Sequence, residues 1–171
     1  MKILISDYAE SMMPQHDLET ETLKSHLGED IDVEVYAYTD EAREEFYERL
    51  ADADALLTAF IKVDKEAFEH APKLKVIAIN ATGYDNVDMD AATAHGVGVC
   101  PVGEYCTWDV SESAIAYMYA LNKNFKFYIG QIEQEYRWDY AAAPEVPRLE
   151  DQTLGIFGFG KIGKCTARKA K

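Results

Sequence analysis

Apolar residues recur along the first hundred positions in short runs, separated by mixed, charge-rich stretches, and this alternation predicts strand-helix-strand units around a parallel sheet. Five runs read as strands: Lys2 to Ser6, Val33 to Tyr38, Ala55 to Thr58, Lys75 to Asn80 and Val97 to Cys100. Between them, Asp17 to Leu27, Asp40 to Ala53, Asp64 to His70 and Asp88 to His95 read as helices. Several open on an aspartate where an N-cap belongs, since a carboxylate there accepts bonds from unpaired N–H groups and complements the helix dipole. Right-handed crossovers would wind these units into a compact doubly wound α/β domain whose ligands sit beyond the carboxyl ends of the strands. The segments after Thr58 and after Asn80 are therefore the places to look. Phe60 and Ile61, just past the third strand, read equally well as a pocket wall favouring an apolar substituent and as plain loop packing.

Pro101-Val102-Gly103 interrupts the alternation, and a long helix pattern follows from Thr107 to about Tyr128. A domain boundary is expected there, with residues 1–101 forming one domain and 102–171 the start of another. Ile115, Met118, Leu121 and Phe125 fall at spacings of three and four, which predicts a core-packing stripe rather than a binding surface. From Gln131 to Leu149 the chain is polar and irregular. The apolar run Thr153-Leu154-Gly155-Ile156-Phe157 then reads as a strand leading into Gly158-Phe159-Gly160-Lys161-Ile162-Gly163 and a helix from Lys161 to Lys171.

A strand before G-x-G-x-x-G and a helix after it is the context in which that spacing binds a dinucleotide, although glycine clusters also mark ordinary turns. Gly158 would allow the tight turn and Gly160 the close approach of a pyrophosphate. Gly163 would allow the helix to pack against the strand, with the helix N-terminus stabilising phosphate charge. The acidic residue that holds the ribose hydroxyl is expected about 20 positions further on, beyond Lys171. The pattern thus implies the first strand and helix of an incomplete Rossmann domain.

Bulk properties narrow the function. With 171 residues, 48% of them apolar, the chain can bury a substantial core. A net charge of −14 disfavours nucleic acid and anionic membrane partners, while leaving small anions open to local backbone donors. No apolar run approaches the roughly 20 residues that span a bilayer, and the start lacks a signal peptide's cleavage region, so a cytoplasmic location is expected. Cys100, Cys106 and Cys165 form no CxxC pair and read as free thiols. His16, His26, His70 and His95 are scattered at no ligand spacing, read as surface or helix-terminal residues, and no metal site is expected.

The string Asn80-Ala81-Thr82-Gly83-Tyr84-Asp85-Asn86-Val87-Asp88 resembles the ATGYDNVD signature of the D-isomer-specific 2-hydroxyacid dehydrogenases. The resemblance continues through Pro101-Val102-Gly103-Glu104-Tyr105 at the family's interdomain crossing and Val110-Ser111-Glu112-Ser113, where relatives often carry Val-Ala-Glu-His. It reaches Thr153 to Gly163, which is similar to TLGIIGLGRIG. These motifs run in order over essentially the whole chain.

The resemblance implies a flavodoxin-like substrate domain joined to a dinucleotide-binding domain inserted into it. It implies a substrate carboxylate, of a small 2-hydroxy or 2-oxo acid, held by the loop at Thr82 and Gly83, where glycine suits a ligand approaching the main chain. Val110 and Thr82 would lie near the nicotinamide of an NAD cofactor, and Gly158, Phe159, Gly160, Lys161, Ile162 and Gly163 at its pyrophosphate; NAD is the family's default. Asp85, Asn86 and Asp88 are expected in turn bonding and helix capping, not in chemistry. The family's catalytic arginine, glutamate and histidine correspond to positions beyond Lys171, so this chain is expected to belong to an oxidoreductase and to be inactive by itself. The alternative is a non-catalytic small-anion-binding or assembly module of the same fold. Relatives dimerise through the nucleotide-binding half, and a homo-oligomer is expected here too.

Overall fold

The computed structural model describes residues 1–171. Residues Met1–Gly103 form one compact unit and Glu104–Lys171 a second. The first carries β1 (Lys2–Tyr8), α1 (Asp17–Leu27), β2 (Asp32–Tyr38), α2 (Arg43–Leu50), β3 (Ala55–Thr58), α3 (Lys65–Glu69), β4 (Val76–Ile79), α4 (Met89–His95) and β5 (Gly98–Pro101). All pairings are parallel, in the order β2-β1-β3-β4-β5, which is the flavodoxin-like winding. Because the chain steps one way from β1 to β2 and the other way thereafter, right-handed crossovers put α1 on one face and α2, α3 and α4 on the opposite one.

That second face is the core. Leu4, Leu56, Ile77 and Ile79 from the strands pack with Phe46, Leu50, Phe68 and Ala92 from the helices, all essentially inaccessible. The two-residue period of each strand decides which side chains turn inward, so β3 and β4 alternate half-buried with buried positions. No residue of α1 is buried. A polar knot closes one edge of the core: Arg43 donates to both Asp64 carboxylate oxygens at 2.9 Å, to the Tyr47 hydroxyl at 2.6 Å and to the Tyr38 hydroxyl at 3.1 Å. It joins β2, α2 and the start of α3 through one guanidinium.

The expected aspartate caps hold at two helices and fail at two. Asp64 accepts from the Ala67 N–H at 3.2 Å and Asp88 from the Ala91 N–H at 2.9 Å. Asp17 is already inside α1, whose N-cap is His16, and Asp40 opens a short 3-10 turn before α2 and accepts from the Tyr8 and Tyr38 hydroxyls, both at 3.0 Å. The expected helix over Asp40 to Ala53 is correspondingly shorter. Gly96 ends α4 with φ +68°, a left-handed conformation that a side chain would strain.

The second unit departs further from the periodic pattern. The expected helix from Thr107 to Tyr128 is two helices, α5 (Thr107–Asn122) and α6 (Phe125–Glu135), broken where Asn124 turns left-handed at φ 53° and donates to the Pro144 carbonyl at 3.0 Å. Asparagine is among the few residues that tolerate this conformation, which hydrophobic periodicity does not register. The stripe is not a core: Leu121 is 78% exposed and Phe125, past the break, 52%. Thr153 to Phe157 forms no strand, since no other segment lies alongside it to complete a hydrogen-bonded ladder. The helix beyond it, α7 (Lys161–Lys169), packs on α5, with Ser111 and Cys165 buried against each other.

Candidate functional site

Beyond the carboxyl ends of β3 and β4, two loops are tied together. The Val63 N–H donates to the Asn86 carbonyl and the Asp88 N–H to the Val63 carbonyl, both at 2.9 Å, forming a parallel bridge between Val63 and Val87. The Asn86 side chain donates to the Ile61 carbonyl at 2.7 Å and the Ala59 carbonyl at 3.3 Å. From the other side, the Asp7 carboxylate at the end of β1 accepts from the N–H groups of Ala59 at 2.5 Å and Phe60 at 3.0 Å, and from that of Tyr8 at 2.9 Å. Asp7 is buried. A buried carboxylate needs several donors to replace its hydration, and backbone amides supply them here.

These loops enclose a cleft of about 270 Å³ lined by Ala59, Phe60, Ala81, Gly83, Asp85 and Asn86. Phe60 is 59% exposed and forms a wall; Ile61 is fully buried in the core and does not, which separates the two roles that the sequence left even. The Gly83 N–H donates to no group of the chain, and an added Cβ there would meet the Asp85 carboxylate at 3.7 Å. Thr82 stands next to it and its hydroxyl donates to the Gly103 carbonyl at 2.9 Å. Asn86 and Asp88 do the turn bonding and capping expected of them; Asp85 caps nothing and borders the cleft.

A smaller cavity of about 40 Å³ lies at the ends of β1 and β3, lined by Ser6, Asp7, Met12, His16, Thr58 and neighbours. The Ser6 hydroxyl is buried there without a partner, and the space suits a water. His16, the N-cap of α1, borders this cavity with its Nδ1 3.3 Å from Glu19; of the surface and helix-terminal places the sequence offered, it takes the helix-terminal one. The others are committed locally: His26 and His95 to helix carbonyls, His70 stacked on Tyr47. None lines the cleft with Gly83.

In the second unit, Gly158 has φ +90° and Gly160 is the N-cap of α7, with open space where its side chain would be. An added Cβ on Gly163 would lie 2.1 Å from the Gly158 carbonyl oxygen, so only glycine fits under this turn. The first helical bond runs from the Lys164 N–H to the Gly160 carbonyl at 2.9 Å, which leaves the amides of Lys161, Ile162 and Gly163 without helical acceptors. Such a cradle suits a phosphate. Phe159 stands exposed at its rim and Ile162 half-exposed. The Lys161 ammonium pairs with Glu104 at 2.6 Å, which holds the Glu104 carboxyl below its ordinary range. Val110 is exposed on α5. No helix is long and apolar enough to cross a membrane.

The model of the D-isomer-specific 2-hydroxyacid dehydrogenase catalytic domain matches residues 3–159. A glyoxylate reductase of Pyrococcus furiosus is 34% identical over 157 residues, covering 85% of this chain and 45% of that protein. A hydroxypyruvate reductase of Blautia hydrogenotrophica is 31% identical over 160 residues, covering 91% and 48%. Among solved structures, an NAD-dependent formate dehydrogenase from Staphylococcus aureus in complex with NAD superposes with a TM-score of 0.78 at 26% identity, over 99% of this chain and 53% of that one. The chain spans about half the length of the curated relatives it matches.

Proposed function

Because the chain belongs to the D-isomer-specific 2-hydroxyacid dehydrogenase family, we propose that it is part of an oxidoreductase that moves a hydride between a nicotinamide cofactor, NAD, and a small 2-oxo or 2-hydroxy acid. The observation that carries this reading is the Gly83 amide, unclaimed within the chain and facing a cleft at the carboxyl ends of two parallel strands.

The chain's own residues divide the work. The Gly83 N–H, with Thr82 beside it, binds the substrate carboxylate; glycine lets the ligand come against the main chain. Phe60 walls the cleft on the side of the acid's substituent and keeps water from it. The Gly158–Gly163 turn and the first amides of α7 hold the pyrophosphate, and Val110 lies toward the nicotinamide. When bound, the cofactor supplies or accepts the hydride. A proton must also reach or leave the substrate oxygen, and no histidine of this chain lies in the cleft. We therefore read the 171-residue chain as a binding half without turnover of its own. The exposed Trp108, Tyr117, Leu121 and Trp138 of the second unit support self-association.

Amide NMR of the chain titrated with glyoxylate tests the proposal. The Gly83 resonance should move and saturate at millimolar ligand, while NADH added with glyoxylate is not consumed. An unmoved Gly83 would remove the carboxylate site, and steady NADH oxidation would show that the proton-transfer group is in this chain after all.

A further inference from the structure

The loop that bears Phe60 is held more firmly than a connector between a strand and a helix requires. Its N–H groups at Ala59 and Phe60 converge on Asp7, a buried carboxylate from a different strand, and its carbonyls at Ala59 and Ile61 are both taken by one Asn86 amide from the loop across the cleft. Ile61 and Val63, fully buried, pin the chain on the far side of the ring. Both groups of the Ala59–Phe60 peptide are thus occupied, as are the Ala59 N–H and the Ile61 carbonyl, and the backbone at that position cannot shift far without breaking a charged or buried bond. Phe60 and Gly83 line the same cleft. The distance between the ring and the carboxylate-binding amide is consequently set by Asp7, which lies outside the cleft, and by Asn86, whose amide is spent on the Phe60 loop.

We propose that Asp7 and Asn86 are positioning residues that fix Phe60 opposite the Gly83 amide and thereby cap the size of the substituent carried by the bound 2-oxo acid. This rests on the carboxylate reading of the Gly83 loop. A rigid wall excludes a branched substituent by steric overlap, whereas a wall on a slack loop yields and admits it. Loosening the loop therefore alters selectivity between large and small acids, beyond any effect on stability. Discrimination by one or two methylene groups in a fitted pocket is worth about 10- to 200-fold, so the change is measurable by binding alone.

The test uses the full chain and two probes, glyoxylate, which has no substituent carbon, and 4-methyl-2-oxopentanoate, which has a branched one. Dissociation constants come from the Gly83 amide shift, and thermal melts are recorded alongside. The expected result is a ratio of branched to unbranched dissociation constants that falls at least about fivefold in Asn86→Ala and in Asp7→Asn, toward the value given by Phe60→Ala, which removes the wall itself. A role confined to stability lowers the melting temperature and leaves the ratio where it was, and that outcome overturns the positioning role while glyoxylate binding keeps the carboxylate site standing. If the wild-type chain binds neither acid, the carboxylate reading falls and this inference with it. Should Asp7→Asn fail to fold, Asn86→Ala, whose side chain is only half-buried, decides the matter.

Discussion

Replacing Arg43 by methionine isolates what one guanidinium contributes to the first unit. Methionine keeps most of the apolar stem and removes every donor, so the change is read as lost hydrogen bonds rather than a cavity. Four bonds disappear: two parallel ones to Asp64, and one each to the Tyr47 and Tyr38 hydroxyls. A bond to a charged group contributes about 1.5–3 kcal/mol when buried. Here the Arg43 and Asp64 side chains are 24% and 28% exposed, so water replaces part of what is lost. Asp64 also keeps its cap on the Ala67 N–H, and Tyr38 keeps Asp40. These retained contacts hold the net loss to about 2–3 kcal/mol rather than the sum of four bonds. For a unit of 103 residues that lowers the melting temperature by roughly 8–20 °C. Urea unfolding followed by circular dichroism should show a lower midpoint at unchanged slope. A double-mutant cycle with Asp64→Asn should give a coupling of about 1–2 kcal/mol, and Arg43→Lys should restore less than half of the loss, because an ammonium cannot reach all three partners with a fork. A loss below about 0.5 kcal/mol, or a cycle with no coupling, would refute the claim that this knot joins β2, α2 and α3 energetically.

Two further outcomes follow from local geometry. Gly163→Ala must push the Gly158 carbonyl away by about 1.3 Å, the gap between the 2.1 Å approach and the 3.4 Å at which ordinary contact begins; ADP, used as a pyrophosphate probe, should bind at least about tenfold more weakly, and Gly158 to Gly160 amide shifts identical to wild type would contradict it. The Tyr8 phenol is pushed up to about 12, first by burial and then by the Asp40 carboxylate to which its hydroxyl donates. A folded value above the unfolded one means that the folded state holds this proton more tightly, so the contribution to stability is intact below pH of about 10 and is lost as the pH rises through about 12; an ultraviolet difference titration in which Tyr8→Phe leaves the most alkaline step untouched would sink the assignment.

The first unit was legible in the sequence because its cues are local and agree. Ala55 to Thr58 and Asp17 to Leu27 have the bounds read from their runs, and the remaining strands shift by a residue or two. One of the two failed caps there depended on competition for a single group: Asp40 looks like a cap until two tyrosine hydroxyls outbid the helix for its carboxylate. In the second unit the periodic pattern gave one helix where the backbone makes two. The break depends on Asn124 taking a left-handed conformation, a choice settled by its bond to a carbonyl twenty residues away. At the candidate site, the family string pointed to Thr82 and Gly83, while the switch-point rule offered Phe60 and Ile61 together without deciding between a wall and loop packing. Asp7 had no signal: a lone aspartate at the end of an apolar run reads as a solubilising charge, and its three backbone partners, two of them more than fifty residues away, become visible only when β1 and β3 are paired.

The crossover helix α1 has no buried residue, although it is the first unit's only crossover helix on that side of the sheet. Lifting it away uncovers Ile3 and Ile5, which alternate with Leu4 onto its side of the sheet, but no dry side chain of its own, so it opens at lower cost than the strands beneath. In a cell, such a segment is the point of entry for a protease. A cut within Asp17–Leu27 would leave β1 as a separate short peptide held between β2 and β3 by its ladders and by its buried Ile3, Leu4 and Ile5. With Asp7 on that peptide, the wall at Phe60 would then be held through a noncovalent piece, and the lifetime of the nicked protein would be the time that one strand takes to leave a sheet.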